Sequence, residues 1–250
     1  MEPKAYCLHS SFNPAEPSEF QTDRHYLLYA LQGTLRLEAQ GQRWTLPPAR
    51  AALITAGHPI TISILSKLTS ASVLFAPDFI PAPQKVLSVF DVSPLARELI
   101  YECREWGPDD GPLSAYAQRL FETLSTVVLN LAQNPSPCFL PTPSSSGLAR
   151  ALALTEEHSS GTPNFEEIAR NTGQSPRSLA RRFAEEMGMT WREVLRRIRI
   201  IRAVEALASS DASITEIALM VGYNSLSAFN AAFRELTGKS PSEYRATFKT

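Results

Sequence analysis

The sequence predicts an α+β protein of more than one domain: a small β-barrel with accompanying helices, then an all-α domain of two helix-turn-helix units joined by a long helix. Three observations carry this prediction. Residues 25–76 hold short apolar runs punctuated by Gly and Pro. From residue 94 the apolar spacing changes to steps of three and four. Residues 166–240 contain an internal repeat.

The strands come first. "HYLLYALQGTLRLEAQ" is two apolar runs around Gln32-Gly33, which reads as a hairpin turn. In the second run Leu35, Leu37 and Ala39 alternate with Thr34, Arg36 and Glu38, the pattern of a half-buried strand. "QRWTLPPA", "AALITA", "PITISIL" and "SASVLFAP" continue the series. Several short strands with such punctuation suggest a small sandwich or barrel.

Helices follow. Ser93-Pro94 supplies an N-cap and a proline at the first helical position. The helix after it, about residues 94–106, would place Leu95, Leu99, Cys103 and Trp106 on one side. A longer helix over 113–133 carries Leu113, Ala117, Leu120, Leu124, Val127 and Leu131, a heptad seam. Such a seam suits pairing with a second copy of the chain or packing on the chain's own sheet. The Pro- and Ser-rich stretch "QNPSPCFLPTPSSSG" then reads as a linker. The expected organisation is a domain over 1–133, a linker over 134–146 and a second domain over 147–250.

The repeat dominates the last hundred residues. Glu167-Ile168-Ala169 and Gly173 match Glu216-Ile217-Ala218 and Gly222; Leu179, Phe183 and Gly188 match Phe229, Phe233 and Gly238, with one extra residue in the second turn. Each copy reads helix, Gly-containing turn, helix, Gly stop, the grammar of a helix-turn-helix. Start signals agree: Asn164, Thr190, Ser213 and Ser240 each stand three residues before a Glu, the capping-box spacing, and Ser175-Pro176 opens another helix. Between the copies lies "WREVLRRIRIIRAVEALASS", in which Val194, Leu195, Ile198, Ile201 and Val204 are helically spaced. Twenty helical residues span roughly 30 Å, close to the pitch of about 34–36 Å on which the DNA major groove repeats. A connector of that length can set two reading helices in successive grooves.

Charge neither demands nor forbids a polyanionic partner. The formal net charge is −1 over 250 residues, but residues 1–146 hold 10 Lys and Arg against 13 Asp and Glu, and residues 147–250 hold 14 against 12. Twelve of those 14 C-terminal cations are Arg, whose planar fork suits phosphates and guanine edges. Cys7, Cys103 and Cys138 have neither disulfide-framework nor zinc spacing; each is expected as a small neutral residue, with redox sensing the alternative. The opening residues lack the apolar region of a secretory signal, and no apolar run approaches the roughly 18 residues that cross a bilayer. The expected location is the cytoplasm, with no membrane partner.

The arrangement resembles the AraC/XylS family of transcription regulators over about residues 147–247, on "EIARNTGQSPRSLARRF", "LRRIRIIRA", "SITEIALMVGYNSLSAFNAAFRE" and "TGKSPSEYR". The upstream strands and helices are similar, more loosely, to the cupin-type sensing and dimerisation domain of many members. The resemblance implies a non-enzymatic regulator of double-stranded operator or promoter DNA. It also implies a homodimer, formed here through helix 113–133, and a small effector of unknown identity bound in the N-terminal domain. RNA polymerase is a further candidate partner, and no cofactor is implied. The expected DNA-binding residues are Ser175, Arg177, Ser178, Arg181 and Arg182 in the first copy, and Ser225, Leu226, Ser227 and Asn230 in the second. Leu179 and Phe183 must face the core, so Arg177 and Arg181, four apart, share the opposite side. Arg182 lies nearer the core and suits phosphate or a carboxylate. Ala231 stands where many members place Arg or Lys. It leaves Asn230 for an adenine edge, Ser225 and Ser227 for phosphates, and Leu226 with Ala231 for thymine methyls. Arg196, Arg197 and Arg199 on the connector suit either phosphate or intramolecular partners.

The alternative reading is a cupin-type small-molecule binder or enzyme carrying an accessory DNA-binding tail. Metal-dependent cupins need a His-x-His cluster with a Glu and a later His. His9, His25, His58 and His158 are scattered instead, so no metal is expected. His25 and His58 are candidates to line a pocket; Tyr29, Trp44 and Phe75 suit a barrel core or an effector cavity.

Overall fold

The computed structural model describes residues 2–247. They form two compact units: one contains the chain up to Ala39 and Thr45–Ser136, the other Gln40–Trp44 and Pro137–Arg245.

The first unit is built from antiparallel strands. Strands β1 (Ala5–Phe12), β3 (His25–Gln32), β6 (Arg50–Ile54), β8 (Leu68–Phe75) and β9 (Leu87–Asp91) form one sheet in the order β1-β8-β3-β6-β9. Strands β2 (Ala15–Phe20), β4 (Leu35–Ala39), β5 (Gln42–Leu46) and β7 (Ile60–Ile64) belong to the other, which runs β5-β4-β7-β2. The side of the first sheet bearing Cys7, Leu27, Tyr29, Leu53, Val73, Phe75 and Phe90 packs against two helices. These are α1 (Pro94–Cys103), capped by Ser93, and α2 (Ala115–Leu131), capped by Ser114. Tyr29 and Phe75 are thus core residues.

Three expectations for this unit are corrected. Gln32-Gly33 is no hairpin: β3 pairs with β6 and β8, whereas β4 pairs with β7 in the other sheet. Gly33, at φ +80°, carries the chain between sheets so close to Lys67 that a Cβ would lie 2.2 Å from its carbonyl oxygen. The tight turn falls at Gln40-Gly41, both with positive φ, the signature of the primed turns that match strand twist. On α1 the inward line is Ala96, Ile100 and Cys103, while Leu95 is 57% exposed. Cys103 lies on the expected line, and Leu99 and Trp106 are partly buried against the same core, so of the four expected residues only Leu95 faces outward. On α2 the fully buried line is Ala117, Phe121, Leu124 and Val128; Leu120, Val127 and Leu131, with Leu113 just ahead of the helix, are partly buried against the same core. Most of the heptad seam is therefore engaged within its own unit. All three cysteines are buried free thiols, and burial pushes the Cys7 thiol up to about 12.

The second unit is helical: α3 (Ser146–Glu157), α4 (Phe165–Asn171), α5 (Pro176–Met187), α6 (Trp191–Ser209), α7 (Ile214–Met220), α8 (Leu226–Thr237) and α9 (Pro241–Ala246). The stretch expected as a linker is partly structural. Cys138 and Leu140 are buried in the helical core, and the short strand β10 (Leu140–Pro141) pairs with Arg43 and Gln42. Thr190 with Glu193 and Ser213 with Glu216 form reciprocal capping boxes, and Ser240 exchanges the same pair of bonds with Glu243. Asn164 caps α4 by accepting from the Glu167 amide alone.

Among the described residues no helix is long and apolar enough to cross a membrane, and no three of His, Cys, Asp and Glu gather to hold a metal ion.

Candidate nucleic-acid interface

The repeated sequence produces a repeated geometry. In the first copy the chain leaves α4 through Gly173, at φ +68°, and the amide of Gln174 reaches back to the Ala169 carbonyl at 2.9 Å. In the second copy Gly222, at φ +93°, does the same after α7, and the amide of Tyr223 bonds the Ala218 carbonyl at 2.9 Å. Both turns need a left-handed residue, which only glycine supplies without strain. Asn224 is the extra residue of the second turn. Each following helix is capped by a serine, Ser175 or Ser225, and each ends on a left-handed glycine, Gly188 or Gly238.

Packing then fixes which face of each second helix points outward. On α5, Leu179, Phe183 and Met187 are buried. On α8, Phe229, Ala232 and Phe233 are buried, with Phe229 against Tyr223 and Phe233 against Tyr244 at ring separations of 5.5 and 5.6 Å. The connector α6 contributes to both cores: Val194, Ile198 and Ile201 pack with the first copy, and Ile200, Ala203, Val204 and Leu207 are buried further along.

The outward faces differ in chemistry. On α5, Ser175, Arg177 and Arg181 are exposed and Ser178 is half-buried. Arg181 stands 3.7 Å from Glu185 one turn on, an exposed pair that leaves its guanidinium free to reorient. On α8, Ser225, Leu226, Ser227, Asn230 and Ala231 are all exposed, Leu226 at 41%. In repeat register Ser227 and Ala231 occupy the places of Arg177 and Arg181. The one arginine of α8, Arg234, lies 3.9 Å from Glu243.

Arg182 is separated from this outward set. Its guanidinium donates to the Ser145 hydroxyl at 3.2 Å. Ser145 belongs to a cluster that sequence reasoning missed. The Glu186 carboxylate accepts from the amides of Ser144 and Ser145 at 3.0 and 2.8 Å and from both their hydroxyls. Burial alone would raise the Glu186 pKa, but these bonds outweigh it and hold the carboxyl below its ordinary value. The start of α3 is thereby clasped to α5. The available signal was Ser144-Ser145-Ser146 ahead of an apolar helical run, an N-cap pattern not traced to a partner.

The connector arginines are also occupied from within. Arg196 makes a two-pronged bridge to Glu235, both contacts 3.0 Å. Arg197 donates to the carbonyls of Pro137 and Phe139, and Arg199 to those of Ser159 and Gly161. Burial lowers the pKa of Arg197 and of Arg199 from the usual arginine value. Arg197 and Arg199 thereby hold the segments around Pro137–Phe139 and Ser159–Gly161 against α6.

Two serine-capped helices on glycine turns, joined by one continuous 19-residue helix and exposing polar and cationic faces, define a DNA-binding helix-turn-helix protein. The chain is similar to several known proteins. Residues 168–247 match the family model described as a helix-turn-helix domain. The HTH-type transcriptional regulator NimR of Escherichia coli K12 is 24% identical over 98% of this chain and 88% of its own length. The ornithine utilization regulator of Pseudomonas aeruginosa is 39% identical, but over 98 residues that make up 29% of its own length. Among solved structures, the C-terminal domain of AraT, a response regulator from Geobacillus stearothermophilus, shares 35% identity over 41% of this chain and 86% of that one, with a TM-score of 0.39. The C-terminal unit of this chain is thus similar to the helix-turn-helix domains of HTH-type transcriptional regulators.

Proposed function

We propose that this chain is a sequence-specific regulator whose helices α5 and α8 enter successive major grooves of one duplex. The observation that carries this is the repeat itself. The same glycine turn, serine cap and buried phenylalanine, Phe183 and Phe233, recur on either side of α6, whose 19 residues span about 28 Å. Ser175, Arg177, Ser178 and Arg181 meet the DNA from α5, and Ser225, Leu226, Ser227 and Asn230 from α8. Arg177 and Arg181 supply most of the base discrimination, because a bidentate arginine–guanine pair is worth about 1–3 kcal/mol. Arg182 supports α5 through Ser145. The test is a mobility-shift assay with DNA from upstream of the protein's own gene, titrated with salt and with unrelated competitor. Binding that weakens as salt rises and prefers the specific site is expected; binding indifferent to sequence overturns the reading.

The N-terminal unit acts in this scheme as a dimerising sensor. The partly exposed Leu120 and Val127 of α2 offer a stripe for a second copy, and Leu120→Glu should lower the mass seen by sedimentation. A small effector is supported by two imidazoles. The Nδ1 of His25 accepts from the Ala56 amide, which puts the proton of the neutral ring on Nε2. That Nε2 is buried without a hydrogen-bond partner, as is Nε2 of His58. Buried polar atoms of this kind are uncommon and costly. A thermal-shift screen for saturable stabilisation identifies the effector, and His25→Phe should abolish the response.

A further inference from the structure

Resting on the assignment of α5 and α8 as reading helices, we infer that the operator consists of two chemically different elements. One contains guanines, read through charge by α5. The other is A·T-rich, read by α8 through thymine methyl groups and an adenine edge.

The inference comes from comparing equivalent positions. The α5 face presents two guanidinium groups, Arg177 and Arg181, one turn apart and both exposed. The α8 face presents a serine and an alanine at those places. Leu226 adds an apolar side chain in the first turn of α8, 41% exposed although the aromatic core of this copy lies on the other side of the same helix. A leucine and an alanine can offer a base edge only van der Waals contact, and the thymine C5 methyl is the apolar group the major groove displays. Asn230, exposed beside them, has the donor and acceptor that match N7 and N6 of adenine. The nearest cation of the helix, Arg234, is two turns in from Leu226 and neighbours Glu243. No Arg or Lys stands on the first turns of α8 to give guanine's two acceptors the bidentate cationic donor that reads them best.

The probe is deoxyuridine, which lacks only the thymine methyl. Operators are first selected from a random duplex pool with the full-length protein, and the element whose guanine preference disappears in Arg181→Ala is assigned to α5. Thymines are then replaced by deoxyuridine in one element at a time. Replacement in the α8 element should weaken binding about fourfold for each methyl in contact with Leu226 or Ala231, and replacement in the α5 element should leave affinity unchanged. The Leu226→Ala variant should lose the response at its own thymine. The reciprocal variant, Ala231→Arg, should acquire a guanine preference of about tenfold in the α8 element. A selected α8 element rich in guanine, or affinity indifferent to deoxyuridine there, overturns the inference while leaving DNA reading intact. Failure to select any sequence overturns the assignment on which it rests.

Discussion

Gly222 and Gly173 are equivalent in the repeat but stand in different surroundings, so one substitution made twice separates backbone strain from packing. Both have positive φ, +93° and +68°. An alanine in this left-handed region costs about 1–2 kcal/mol wherever it stands. A Cβ at Gly173 would meet nothing within 4 Å. A Cβ at Gly222 would lie 2.9 Å from the carbonyl oxygens of both Ser159 and Ser160, and 3.0 Å from a guanidinium nitrogen of Arg199. Those carbonyls are backbone, and Arg199 is anchored on Ser159 and Gly161, so the second turn must shift; overpacking of this kind costs about 1–3 kcal/mol more. Gly173→Ala should thus cost about 1–2 kcal/mol and Gly222→Ala about 2–5. Hydrogen exchange on the full-length protein reads each copy separately: protection should fall in α7 and α8 for Gly222→Ala, and by a smaller factor in α4 and α5 for Gly173→Ala. Equal losses at the two sites would refute the packing of the second turn against the Ser159–Gly161 loop.

Other residues give equally direct tests. Arg181→Ala should weaken specific DNA binding about tenfold or more, and Asn230→Ala much less, in shift assays at fixed salt; equal losses would remove the asymmetry between the two helices. Phe233→Ala, at a fully buried site between Phe229 and Tyr244, should cost about 3–5 kcal/mol in urea unfolding. Glu193, Glu216 and Glu243 have pKa values held below the ordinary 4.5, the first two chiefly by the backbone N–H of Thr190 and Ser213, the third chiefly by the Ser240 hydroxyl. Their contribution to stability is complete above pH 4.5 and is lost as the pH falls through the lower folded values. The triple Gln variant should flatten the acid side of the stability–pH curve, and an unchanged curve would contradict the capping boxes.

The helical unit was largely legible in the sequence because its determinants are local. Caps lie three residues from their partners, turn glycines stand between helices, and core apolar residues recur at four-residue spacing, Leu179 and Phe183 in one copy and Phe229 and Phe233 in the other. The partners of the arginines were not legible. Arg182 meets a serine 37 residues away and Arg197 a carbonyl 60 residues away, and no local pattern separates such residues from Arg177 and Arg181. The N-terminal unit was legible as strands followed by helices but not as a topology. β2 is mostly polar and exposed and β1 is buried only in its first half, and a glycine that crosses between sheets looks like one that closes a hairpin until its neighbour Lys67 is in place.

The central claim, that α5 and α8 read one duplex together at a spacing fixed by α6, is tested most directly by moving the two operator elements apart. A selected operator is lengthened by 5 or by 10 base pairs between its elements, and affinity is measured by mobility shift at one salt concentration. Because α6 is one continuous helix of 19 residues, about 28 Å long, and the groove repeats about every 10–10.5 base pairs, 5 extra pairs put the second element on the opposite face, and 10 restore the face but exceed the reach. Both insertions should reduce affinity to that of a single element, matching a variant in which the α8 element is scrambled. Undiminished affinity for either spaced operator would contradict the account.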